Sequence, residues 1–169
     1  MKTELPLLTI SGAPLERGRA HGEAFRDLIR DLVPAFFSDL EQTSLGHGIE
    51  PITKTRALEI GSTYKGPCRD YAPDLYEELE GISEGSGIPV NELLCLNAFL
   101  ELHDYHSDAF AVSGCTSLMV PGDPTGKGAL IAQNYDLSSI FAAAAVLIKV
   151  QSDEGPDALY YTSAGMSEV

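Results

Sequence analysis

Tryptophan is absent and cysteine is scarce: Cys68, Cys95 and Cys115 are the three in 169 residues. An odd count without framework spacing excludes a small disulfide-stapled scaffold. Basic residues are also few, 11 Lys and Arg against 25 Asp and Glu, for a net charge of −14. Nucleic acids and anionic membranes are both held by clustered Lys and Arg, so neither is expected as a partner. No apolar run approaches the roughly 20 residues that a membrane-spanning helix needs; the longest is Ile140 to Ile148. The opening Met1-Lys2-Thr3-Glu4 lacks the basic start and small-residue cleavage site of a signal peptide, so a cytoplasmic protein is expected. Internal repeats and low-complexity tracts are missing too. What is present is a globular composition, 44% hydrophobic and 21% charged, in a chain of one-domain length able to bury a core.

The pattern changes near residue 113. Before it, apolar residues recur at helical spacing. Phe25, Leu28, Ile29, Leu32, Val33, Phe36 and Leu40 form one face of a long helix, with Pro34 expected to kink it and Gly46-His47-Gly48 to end it. A second helix is expected from about Ile52 to Tyr64. A third starts at Pro73 and stops at Gly85-Ser86-Gly87; a fourth follows Pro89, with Asn91 as its cap. His103 to Val112 reads as a loop. From Cys115 onward the runs are short: Thr116 to Val120, Gly128 to Asp136, Ala145 to Gln151 and Ala158 to Thr162. Turn residues separate several of them, which predicts strands beginning an antiparallel sheet. Helices 1–114 and strands 115–169 make an α+β chain. The helices can cover one sheet face only, which leaves the other face open and predicts a chain that is part of something longer.

Gly114-Cys115-Thr116-Ser117 is the point of greatest chemical interest. A cysteine after a glycine, where a loop enters a strand, can attack the preceding carbonyl. The peptide becomes a thioester, and water releases it. The new α-amine then adjoins the thiol and, with an ordinary pKa near 7.7–8.0, serves as its general base. The plainer alternative is an inert buried cysteine at a strand start. In Gln133-Asn134-Tyr135-Asp136, alternation puts Asn134 and Asp136 on one face of a strand that pairs beside the first. Asn134 is a candidate oxyanion donor and Asp136 a candidate for orienting amine or substrate, against a simple turn preference of Asn and Asp. Gly12 to Gly22 reads as a substrate loop or as helix entry with Pro14 in the first turn. His103 and His106 offer a rival Cys–His pair for Cys115. Zinc is not expected, because the spacing fits no common site. Gly122 to Gly128 is a hairpin turn, lacking the Ser/Thr and following helix of a phosphate loop. The carboxylates Glu77, Glu78, Glu80 and Glu84 read as a solvated face.

Four motifs, in this order, resemble the acyl-coenzyme A:aminopenicillanate acyltransferase family, a peptidase-like branch of the N-terminal-nucleophile hydrolases. They are Gly12-Ala13-Pro14-Leu15-Glu16-Arg17-Gly18 with His21-Gly22; Leu79 to Gly87 followed by Glu92-Leu93-Leu94 and Leu96-Asn97; Gly114 to Ser117; and Gln133 to Asp136. The resemblance implies a four-layer αββα sandwich that cleaves itself at Gly114–Cys115 into a helical subunit and a catalytic one. It implies Cys115 as nucleophile, its amine as base, Asp136 as an aid to substrate or amine placement, and a less defined role for Asn134. Members cleave or transfer acyl groups at amide bonds. No metal or organic cofactor is expected, although a coenzyme A thioester is a possible acyl donor, and the expected partners are a small amide substrate and the chain's own processed subunit. The family's downstream Asn and Arg have no counterpart, so a C-terminally truncated chain is expected, with a noncatalytic remnant or binding module of the same fold as the alternative.

Overall fold

Helix-forming spacing dominates up to residue 104 and strand-forming runs dominate after residue 115, and the fold divides accordingly. The structure, a computed structural model, describes residues 4–46, 50–104, 115–122, 128–134, 136, 138–152 and 155–167. Strand β1 (Leu7–Ile10) leads into helices α1 (Pro14–Ala24), α2 (Arg26–Gly46), α3 (Lys54–Ser62), α4 (Lys65–Tyr71), α5 (Pro73–Ser86), α6 (Val90–Asn97) and α7 (Phe99–Asp104). Strands β2 (Thr116–Val120) and β3 (Leu130–Asn134) follow, then a short helix α8 (Ser139–Ala143) and strands β4 (Ala145–Val150) and β5 (Ala158–Ser163). The chain is therefore mixed α+β.

The apolar stripe expected over Phe25–Leu40 is the buried face of α2. Ile29, Leu32, Val33, Phe36 and Leu40 are all enclosed, and the helix runs on through Pro34. Burying each such side chain stabilises by about 1.5–3 kcal/mol. Helix α3 is capped by Thr53, whose hydroxyl accepts from the Arg56 N–H at 3.3 Å. Pro73 opens α5 at the position where its missing N–H costs nothing, and Gly87 closes it in the left-handed region at φ 77°. Helix α6 begins two residues earlier than expected: Pro89 is the cap position and Asn91 lies inside the helix.

The strands do not form one antiparallel sheet, and this corrects the expectation. Strand β1 pairs in parallel with β4, and β5 adds antiparallel to β4, giving the order β1-β4-β5. Strands β2 and β3 pair only with each other, antiparallel. The physical reason lies at the N-terminus. Leu7–Ile10 has the alternation of a half-buried strand, and β4 offers it an edge; the Leu147 N–H donates to the Pro6 carbonyl at 2.8 Å and the Gln151 N–H to Ile10 at 2.8 Å.

One face of the three-stranded sheet joins the helical core through Ile10, Val146, Ile148, Val150 and Thr162. Its other face carries Leu7, Leu159 and Tyr161 exposed to solvent. The helices thus cover one sheet face. Among the described residues, no helix is long and apolar enough to cross a membrane.

Candidate functional site

Cys115 sits immediately before β2 and is exposed. The β2–β3 ladder pairs Thr116 with Asn134, so Cys115 lies at the end of the hairpin where β3 finishes. Strand β3 is shorter than the expected Gly128–Asp136, which places Asp136 just beyond it. Asn134 Nδ2 donates to Asp136 Oδ1 at 3.0 Å. The three residues are brought to one end of one hairpin, where the Asn134 and Asp136 side chains meet although Asp136 is no longer in the strand. Gly114, Tyr135, His106 and the 123–127 turn lie outside the described residues. Every residue of β2 and β3 is exposed.

The other two cysteines have different surroundings. Cys95 is enclosed under Gly61, and its Sγ donates to the Ala57 carbonyl at 3.3 Å. Burial, with the Glu92 charge adding to it, pushes its thiol up to about 11, Lys54 pulling the other way. A thiol with that pKa supplies almost no thiolate at neutral pH. Cys68 is half-buried on α4 and faces a cavity. Cys115 alone is exposed.

His103 belongs to α7 instead of a loop. Its ring lies 6.5 Å from that of Phe36, and Nε2 is 4.0 Å from Asp39 Oδ2, both on α2. Among the described residues, no cluster of three or more His, Cys, Asp or Glu could hold a metal ion.

The segment from Gly12 to Gly22 is not a loop: Pro14 starts α1 and Glu16 lies in its first turn, as the helix-entry reading holds. Its glycines have a packing task. Gly18 and Gly22 on α1 meet Gly81 and Gly85 on α5, each pair spaced one helical turn apart. A Cβ on Gly18 would strike the Glu78 carbonyl, on Gly81 that of Leu15, and on Gly85 that of Arg19; on Gly22 it would come within 2.5 Å of the Ile82 carbonyl. Four glycines let two backbones touch. Arginines then close the seam: Arg26 and Arg30 donate through Nε to the carbonyls of Gly85 and Ser86 at 2.9 and 3.0 Å.

Glu78 departs from the expected solvated face. It is 3% exposed and accepts from Arg17 Nε and Nη2 at 3.2 and 2.9 Å. Burial raises its pKa, while Arg17 and the nearby Ser167 hydroxyl oppose that rise. The close approach of α1 and α5 encloses this carboxylate. Glu77 and Glu84 are exposed as expected.

Two residues quoted for their motifs converge on the turn after β5. The Gly165 N–H donates to His21 Nε2 at 3.0 Å, in a fully buried contact. Asn97 Nδ2 donates to the Gly165 carbonyl at 3.0 Å, and Asn97 Oδ1 accepts from the Ser167 N–H at 2.8 Å. Gly165 holds φ 91°, and a side chain there would crowd Ile29 and Leu96. Burial lowers the His21 pKa to about 4, which keeps Nε2 an acceptor at neutral pH. Neither role was legible from the residues alone, since the partners lie far apart in sequence.

A wider cavity of about 570 Å³ lies at the start of α1, lined by Gly12, Pro14, Arg17, Asp74, Gln151 and Tyr160. It joins the first motif to the ends of β4 and β5.

No family model and no curated protein matches this chain. The resemblance therefore rests on the four motifs, and three kinds of residue carry them: the glycines of the α1–α5 seam, the two side chains that hold the 165 turn, and the Cys115 end of the hairpin.

Proposed function

We propose that this chain is a self-processing N-terminal-cysteine amidohydrolase or acyltransferase of the N-terminal-nucleophile type, similar to the acyl-coenzyme A:aminopenicillanate acyltransferase family. The αββα sandwich and a cytoplasmic location belong to the same proposal. The observation that carries it is the register of the hairpin, which sets an exposed Cys115 at the end where Asn134 and Asp136 lie.

The chemistry proceeds in two stages. The Cys115 thiolate attacks the Gly114 carbonyl, and the peptide nitrogen leaves as the α-amine of Cys115. Water then hydrolyses the thioester, freeing the Gly114 carboxylate and the thiol. In turnover, the amine takes the thiol proton and the thiolate adds to the substrate carbonyl. The tetrahedral intermediate collapses as the ammonium returns its proton to the leaving amine. Water or a second amine then releases the acyl group.

Asp136 holds the new amine. Asp136 lies at the same end of the hairpin as the main chain of Cys115, and this suits a role at the amine. Asn134 spends one of its two N–H groups on Asp136 and keeps the other for an oxyanion. The small substrate is an amide; a coenzyme A thioester is an alternative acyl donor, and no metal takes part.

Intact-mass spectrometry of purified protein tests this reading. Two chains divided at Gly114–Cys115 are expected, and one undivided chain after Cys115→Ala. Division that persists in Cys115→Ala would overturn the proposal, as would a wild type that stays whole and whose Cys115 resists alkylation. That second result would favour a noncatalytic binding module of the same fold.

A further inference from the structure

Three buried side-chain polar atoms find no hydrogen-bond partner among the described residues: His21 Nδ1, Tyr76 Oη and Ser167 Oγ. Two of these residues, Tyr76 and Ser167, line the same cavity. It measures about 250 Å³ and lies between α4, α5, α6 and the turn after β5. Cys68, Leu75 and Leu94 supply apolar wall, and Glu101, exposed, marks its mouth. An apolar cavity of roughly 150 Å³ already takes up benzene.

Tyr76 is 2% exposed, and its ring is held from outside by the Arg69 guanidinium at 5.1 Å. A buried hydroxyl left unpaired forfeits its hydration and gains nothing in exchange. The Ser167 main chain is meanwhile pinned by Asn97 at 2.8 Å, and its hydroxyl lies near the Glu78 carboxylate. The cavity thus offers an apolar body with one orphaned hydroxyl, Tyr76 Oη, able to donate and to accept, and beside it the Ser167 hydroxyl, which also faces the Glu78 carboxylate. Asn97 also lines it, but its amide is already committed to Leu93, Gly165 and Ser167. Among the described residues, the charged side chain in the wall is Glu101, which disfavours a carboxylate.

We propose that this cavity is a binding site for a compact neutral molecule with an aromatic or branched apolar body and a single hydroxyl, of the phenol or benzyl alcohol class. The ligand hydroxyl pairs with Tyr76 Oη, and the ring packs between Leu75, Leu79 and Leu94. The site lies on the helices, on different elements from the Cys115 hairpin, and stands whether or not the chain cleaves itself.

Titration calorimetry of the full chain with phenol, toluene and benzoate tests the site, alongside peptide-mapped alkylation of Cys68. Saturable phenol binding that slows Cys68 alkylation is expected, with benzoate much weaker. Tyr76→Phe should weaken phenol about tenfold, the loss of one buried hydrogen bond, and leave toluene unchanged. Ala98→Phe should fill the cavity and abolish both; if it fails to fold, Leu75→Trp at the half-buried wall serves instead. Absence of saturable phenol binding at millimolar concentrations would mean that water satisfies the Tyr76 hydroxyl, and would overturn the proposal. So would equal phenol binding by Tyr76→Phe, or benzoate binding as tightly as phenol.

Discussion

His21 spends Nε2 on the Gly165 N–H and is fully buried. That exchange makes the fold sensitive to acid. The unfolded chain takes up a proton near pH 6.5, whereas the folded one resists until about 4. The unfolded state therefore binds more protons between those values, and stability falls as pH is lowered through that window. The full shift corresponds to about 3 kcal/mol. Glu78 acts in the opposite sense: its raised pKa costs stability as pH rises through and above the ordinary carboxyl range. The comparison must therefore be between wild type and His21→Gln, which keeps an acceptor but does not titrate. Urea midpoints of the variant should be flatter than wild type between pH 6.5 and 4; parallel curves would remove His21 as the acid-sensitive contact. At this scale the sequence was half legible. Cys115, Asn134 and Asp136 could be placed near one another because all three lie at one hairpin. His21, Asn97 and Glu78 could not be assigned, because each is defined by a partner from another element.

Helices α1 and α5 form the closest contact between elements, and it depends on removing four side chains. Gly22→Ala or Gly81→Ala forces a methyl group against a backbone carbonyl, which cannot rotate aside. Each should cost about 1–3 kcal/mol or more by the ordinary penalty for overpacking. Gly46→Ala is the control: it ends α2 with open space around the added atom, and should be neutral or stabilise by about 0.5–1 kcal/mol. Thermal midpoints of the three variants would settle it, and a harmless Gly22→Ala would show that the seam yields. The same seam explains why α1 was hard to see. Its Gly18 and Gly22 and its charged residues erase the apolar periodicity that revealed α2. The Gly-x-x-x-Gly spacing, repeated at 81 and 85, is the signal that would have paired the two. Helix α4 contains Gly66 and Pro67, and α8 is a single turn; neither offers a period long enough to read. The strands after residue 115 were legible because turn residues bound them, but their division into two sheets was not. Pairing of β1 with β4 joins the two ends of the sequence, and no local pattern encodes it.

Among the described residues, two apolar strand surfaces stand uncovered. One is the outer face of the three-stranded sheet, with Leu7, Leu159 and Tyr161. The other is the hairpin, where Leu118, Met119, Leu130 and Ile131 are all exposed. Truncating a hairpin side chain should then cost little and truncating the inner sheet face should cost much. Ile131→Ala is expected to stay within about 0.5 kcal/mol, whereas Ile148→Ala should lose about 2–5 kcal/mol. Denaturant unfolding measures both, and a large loss at Ile131 would mean that the hairpin is covered in solution. The uncovered surface is also what self-association would use, despite the charge of −14. Leu118→Lys with Ile131→Lys should lower any sedimenting oligomer without lowering the unfolding midpoint.

The parallel pairing of β1 with β4 has a consequence for a chain divided after residue 114. Leu7 to Ile10 would stay hydrogen-bonded to Leu147 to Val150 across the cut, with His21 and Asn97 still gripping Gly165 and the Ser138 hydroxyl on Asp39 at 3.0 Å. Cleavage would separate the pieces covalently but not physically. It would change the order of the folding reaction, because closing that ladder within one chain is unimolecular and closing it between two is not. Refolding of the divided protein should slow on dilution, while refolding of the undivided chain should not.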